Sequence, residues 1–155
     1  MPRMAARFML SEHWDGKLPV DPFAIARSAR VIVEHDPEMN EAFGRFEFVN
    51  GRPHIYLRPD EPEVRQRFIA AHELGHFALK HGKRFVDTSR QFVPVQLDEM
   101  ENQANRFALE LLIPDFAVNI LIEKRNITNF VRLTEEFAVS GFAMKRRLKK
   151  LGWIY

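Results

Sequence analysis

The five residues His72-Glu73-Leu74-Gly75-His76 place two imidazoles and a carboxylate where a helix can turn them into a hydrolytic metal site. Residues i and i+4 share one helix face, so both histidines can bind one ion. Glu73 lies about 100° around from His72, close enough to reach a metal-bound water yet poorly placed to be a third ligand. It reads as the general base. The bland alternative is a pair of surface histidines. It fits less well, because Phe68, Ile69, Ala70, Leu74, Phe77 and Leu79 surround the motif with apolar side chains.

A catalytic zinc needs a third protein ligand and one open position. The chain has no cysteine, so its six histidines and its carboxylates are the only donors. A helix from about Asp98 to Ile113, stopped by Pro114, offers acidic candidates at 98, 99, 101 and 110. With Met100 at zero and about 100° per residue, Ala104, Phe107, Ala108, Leu111 and Leu112 fill an arc from roughly −20° to +120°. Glu101 falls at about +100°, inside that arc, whereas Asp98, Glu99 and Glu110 fall outside it. A carboxylate turned inward needs a cation or donors to offset its burial. Glu101 is therefore the expected third ligand, although Asp98-Glu99-Met100-Glu101 also has the spacing of a capping box.

Other polar residues near the motif remain open. His81 can tune the site, or simply interact with the helix dipole. His54, Tyr56 or His81 is a candidate to stabilise a tetrahedral intermediate or contact substrate, with nothing in the sequence to choose among them. Ala71, Gly75 and Ala78 form a strip of small residues that lets another element approach closely.

The elements that must position these residues are legible in outline. Asp21, followed by Pro22, caps a helix over 19–30 with Ile25, Ala26 and Ala29 buried. Strand character follows at Val31–Glu34, Arg45–Val49 and His54–Leu57, the last two flanking the hairpin signal Asn50-Gly51. Asp60 is the expected N-cap of the motif helix, about Pro62–Lys80, with Gly82 in the left-handed position after it. Residues 83–96, including Ser89 and Pro94, read as a long loop. Helical patterns recur near 115–124, 128–138 and 141–151. The expected fold is α+β: a small antiparallel sheet packed on the motif helix, and a helical C-terminal half. One domain is expected over 1–155, with a zinc-site core at about 17–114 and a helical segment at about 115–155.

Composition bounds the function. No apolar run is long enough to cross a bilayer, and Met1–Arg7 leads into a charged segment in place of a signal peptide, so a cytoplasmic location is expected. With 23 basic and 21 acidic residues, the net charge of +2 argues against a protein built to wrap nucleic acid. The exception is local: Lys145, Arg146, Arg147, Lys149 and Lys150 cluster on a segment that, with Leu133–Ser140, has the outline of a DNA-binding helix-turn-helix. A helical pair that covers the core, with Phe137, Val139, Ala143, Leu148 and Leu151 inward, accounts for the same pattern.

Arg67–His76, followed by Glu101–Pro114 with its Glu-x-x-Ala-Asn-x-Phe-Ala-x-x-Leu-Leu-x-Pro pattern, resembles the ImmA/IrrE family of bacterial and phage metallopeptidases. The resemblance extends over roughly residues 17–154. It departs at Ile69-Ala70-Ala71, where that family often has Thr-Leu-Ala. It implies a gluzincin-like core, one Zn2+ per chain held by His72, His76 and Glu101, and Glu73 as catalytic base. It also implies a protein substrate, an Xre-type helix-turn-helix repressor encoded nearby, in a phage, mobile-element or toxin-antitoxin setting. A regulatory partner of little turnover is the alternative within the same fold. The His54–Leu57 strand is a candidate to bind an extended substrate by strand addition, provided that it lies at a sheet edge.

Overall fold

A computed structural model describes residues 1–88 and 95–155. Seven α-helices are described: α1 (Pro2–His13), α2 (Pro22–Ser28), α3 (Glu63–Ala78), α4 (Val95–Leu112), α5 (Asp115–Asn119), α6 (Phe130–Phe137) and α7 (Gly141–Leu151). A π-helical turn, Ile120–Lys124, follows α5. The strands are β1 (Ile32–His35), β2 (Ala42–Val49), β3 (Arg52–Leu57) and β4 (Arg84–Thr88). The fold is α+β.

The sheet runs in the order β1-β3-β2-β4. Asn50 and Gly51, both at positive φ, close the β2–β3 hairpin, as the twist of a two-residue hairpin requires. The sheet is mixed, where an antiparallel one was expected, because β1 pairs with β3 in parallel. β3 therefore lies inside the sheet, paired on both sides. Strand addition at His54–Leu57 is excluded by those pairings, and the edge strand on the other side of the hairpin is β4. β4 falls in the stretch read as a loop. Five residues without strict alternation are too few for a periodicity signal, and pairing with β2 supplies what the local sequence lacks. The remainder of that predicted loop, 89–94, lies outside the described residues.

α3 is the buried centre, with Ile69 through Leu74 and His76 all shielded from solvent. Its capping differs from expectation. Asp60 binds the Arg58 guanidinium at 3.1 and 3.0 Å and leaves the cap position to Pro62. At the other end Lys80, φ 56°, takes the left-handed residue expected at Gly82. Arg67, buried, donates from α3 to the carbonyls of Val20 and Ala138 and so ties three parts of the chain together.

α4 crosses α3 at Gly75. A Cβ there would lie 3.0 Å from Phe107 Cδ1 and 3.2 Å from the Ala104 backbone, so Gly75 of the small-residue strip sets the approach of the two helices. Ala104, Phe107, Ala108, Leu111 and Leu112, the expected inward arc, are all fully buried. α4 is described from Val95, so Asp98 falls within the helix and not at its start. Against its other side packs α1, a helix the charged N-terminal reading missed, whose Ala6, Met9 and Leu10 form the buried stripe.

The C-terminal half follows the expected segments. Asn129 caps α6 and Ser140 caps α7 through their side chains. Leu133, Phe137, Val139, Ala143 and Leu148 join one core with residues from the sheet, α1, α3 and α4. Arg147 leaves the basic cluster. It is buried, donating to Glu110 at 3.1 and 2.9 Å and to the Ile113 carbonyl at 2.8 Å. No described helix is long and apolar enough to cross a membrane.

Candidate metal centre

The motif lies in the second half of α3, where helical periodicity turns His72 and His76 to one side and Glu73 to another. Glu101 faces both histidines from α4. One of its carboxylate oxygens is 2.9 Å from His72 Nε2 and the other 2.9 Å from His76 Nε2. A fourth group comes from β4: Asp87 Oδ2 lies 3.1 Å from His72 Nε2 and 3.9 Å from His76 Nε2. One donor atom from each of His72, His76, Asp87 and Glu101 falls within 4.8 Å of every other.

The far nitrogens of the imidazoles are also engaged. His72 Nδ1 donates to Asn105 Oδ1 at 2.8 Å, which turns Nε2 toward the cluster. His81 Nε2 donates to Gln103 Oε1 at 2.8 Å, so its Nδ1 is free to accept from His76 Nδ1 at 2.9 Å. This relay leaves the His76 Nε2 lone pair facing the carboxylates. Burial pushes the His81 pKa down, in keeping with a neutral acceptor. Phe85, on β4, stacks on the His76 ring at 4.2 Å.

These donors fit a divalent cation. His76 Nε2 and Asp87 Oδ2 are buried without an aligned hydrogen-bond partner, and such orphaned atoms are costly unless something between them satisfies both. Imidazole nitrogens with carboxylate oxygens, and no thiolate, are a donor set that zinc accepts. Electrostatics agree. Burial alone would lower the His72 pKa, but contacts with Asp87 and Glu101 raise it to about 10. In the metal-free protein a proton holds the place that a cation would take. The Asp87 carboxyl is itself held well below the usual range: its burial is outweighed by the approach of Glu73 and His72.

Glu73 is fully buried, and neither of its carboxylate oxygens has a hydrogen-bond partner. Its pKa is raised well above the ordinary value, first by burial and then by Asp87 and Glu101. Room for it comes from Gly44 on β2, where a Cβ would lie 2.8 Å from Glu73 Oε2 and 2.4 Å from Ile69 Cγ2. A cleft of about 670 Å³ opens beside the cluster. His72, Asp87, Glu101 and Asn105 lie along it, with Phe43, Phe68 and Leu109 as apolar walls and Val139, Phe142 and Arg146 from the α6–α7 region at its far side.

The structure thus brings His72, His76, Glu73 and Glu101 together and sets His81 behind His76. It does not bring His54 or Tyr56 to the cluster. Ile55 and Leu57 are the fully buried residues of β3, so strand alternation turns His54 and Tyr56 to the other face. There they stack on each other, with Arg45 over the Tyr56 ring. Sequence reasoning missed Asp87, Asn105, Gln103 and Gly44. Asn105 had a readable signal, since it sits one helical turn after Glu101 on the same face. Asp87 had none until β4 was known.

The family described as IrrE N-terminal-like domain, of the M78 peptidases, matches residues 26–149. The chain is also 29% identical over 99 residues to the uncharacterized immunity region protein 2 of Bacillus phage phi105, a match that covers 64% of this chain and 62% of the phage protein. With its His-Glu-x-x-His helix, its facing glutamate and this match over residues 26–149, the chain belongs to the IrrE N-terminal-like family of M78 peptidases.

Proposed function

We propose that the protein is a zinc-dependent endopeptidase that cleaves a helix-turn-helix transcriptional repressor. The observation that carries the reading is the Glu73 carboxyl, buried and unpartnered, one residue from His72 and beside converging metal donors. His72, His76 and Glu101 would hold the ion, as the resemblance to ImmA/IrrE peptidases implies. When bound, zinc supplies a Lewis acid that polarises the scissile carbonyl and acidifies water.

The chain's own residues do the rest. Glu73 accepts the proton of the attacking water at a carboxylate oxygen and returns it to the leaving amine. Burial raises its pKa above the ordinary carboxylate value, which makes it a stronger proton acceptor than an exposed glutamate. Asn105 and the His81–Gln103 pair hold the two imidazoles with Nε2 forward. The cleft beside the cluster takes the peptide.

The substrate class rests on likeness. The resemblance to ImmA/IrrE peptidases implies an Xre-type repressor, and the phage relative is named as an immunity region protein. A repressor substrate also sets the reaction in the cytoplasm. The test is to incubate the zinc-loaded protein with the Xre-type regulator encoded beside it and read the fragments by mass spectrometry. One defined cut, lost in Glu73→Gln, is expected. An intact regulator, or equal effects of mutant and wild type on repression, would remove proteolysis as the function.

A further inference from the structure

We propose that Asp87 is a fourth protein ligand of the metal centre, and that the arrangement seen here is a closed resting form from which Asp87 must withdraw before hydrolysis. The inference rests on the metal-centre reading of His72, His76 and Glu101. Zinc sites with four protein ligands are closed, whereas catalytic sites keep one position for water or substrate. Here four side chains already converge, and Asp87 Oδ2 stands 3.1 Å from His72 Nε2, close to the 2.9 Å of Glu101 from the same atom.

Apart from its neighbours in the cluster, Asp87 has no cationic partner: its Oδ2 is buried without an aligned hydrogen bond, and no ion pair with arginine or lysine forms there among the described residues. Arg45, the nearest strand neighbour with a cation, is turned to Asp36 and Glu47. A buried carboxylate oxygen set against two imidazole nitrogens, of which His76 Nε2 also lacks an aligned partner, calls for a cation between them. The backbone adds to this. The pairing of β2 with β4 is irregular between Ala42 and Gly44, directly opposite Asp87. Such irregularities bend a strand and re-aim a side chain.

The four donors are not equally fixed. His72 and His76 ride on the buried α3, with their Nδ1 atoms hydrogen-bonded, and Glu101 sits on an 18-residue helix. Asp87 sits on a five-residue edge strand hydrogen-bonded on one side only among the described residues. It is the donor whose departure disturbs least, and short edge elements are where local opening costs least.

Cobalt(II) in place of zinc tests this without reference to turnover. The wild-type protein should show intense visible bands of a four-coordinate ion that excess azide leaves unchanged. Asp87→Asn, isosteric but a poor donor, should bind zinc at least about tenfold more weakly in a chelator competition, and its cobalt spectrum should respond to azide. A wild-type spectrum that shifts with azide, or unchanged zinc affinity in Asp87→Asn, would overturn the closed form and leave the peptidase reading standing. Failure of the wild-type protein to bind cobalt or zinc at all would overturn the metal centre, and both readings with it.

Discussion

Glu73 owes its space to a side chain that is absent. Gly44 on the facing strand leaves room for the carboxyl, and any larger residue would press on both Glu73 and Ile69. Gly44→Ala is therefore expected to destabilise the fold by about 1–3 kcal/mol in thermal denaturation, the usual cost of overpacking, and to depress cleavage by displacing the base. Glu73→Gln should reduce cleavage by about 10²–10⁴-fold, the ordinary worth of general acid–base catalysis, with zinc affinity retained in a chelator competition. His72 predicts a pH effect. Its pKa rises from 6.5 unfolded to about 10 in the metal-free fold. A group that holds its proton more tightly when folded stabilises fully below pH 6.5, and that stability is lost as pH rises to about 10. Melting temperatures measured in chelator should accordingly fall across this window. Zinc affinity should rise over the same range, because the ion must displace that proton. At this scale His72, Glu73 and His76 were legible because a single helix carries them, and Glu101 because its own helix has an apolar arc. Asp87 was hidden, since only a tertiary pairing puts it there.

Two helices and one edge strand make the site, and their fit depends on contacts remote from it. Gly75 sets the distance between α3 and α4, and Arg67 anchors α3 to the chain before α2 and to the turn between α6 and α7. Arg147 does the same for α7. Its removal strands the Glu110 carboxylate, so Arg147→Ala should cost about 3 kcal/mol in urea denaturation, the lower end for a buried pair because Glu110 keeps some solvent. The exposed neighbour Arg146 should change stability by less than about 0.5 kcal/mol when replaced by alanine. Elements with strong local signals were legible: α2 with its Asp21 cap, the Asn50-Gly51 hairpin, α3, α4, and the spans of α6 and α7. The parallel pairing of β1, the strand β4 and the helix α1 were not, because long-range pairing and packing, and not local propensity, decide them.

Across the whole molecule one continuous core runs from Ala6 on α1 to Leu148 on α7, so the C-terminal helices are a wall of the cleft as well as a cover for the core. A metal bound only by the native state should raise stability throughout. With free zinc at about 1,000 times its dissociation constant the gain is about 4 kcal/mol, and chelation should lower the melting temperature on the order of 10 °C for a chain of this size, measured by scanning fluorimetry with zinc added back as control. The wide spacing of the donors has a further consequence, for the birth of the protein. His72 and Glu101 are 29 residues apart, and they meet only when α4 packs on α3. A growing chain on the ribosome can display the whole His-Glu-x-x-His sequence and still lack a hydrolytic centre. On the peptidase reading, competence to cut arrives only once the two helices have packed.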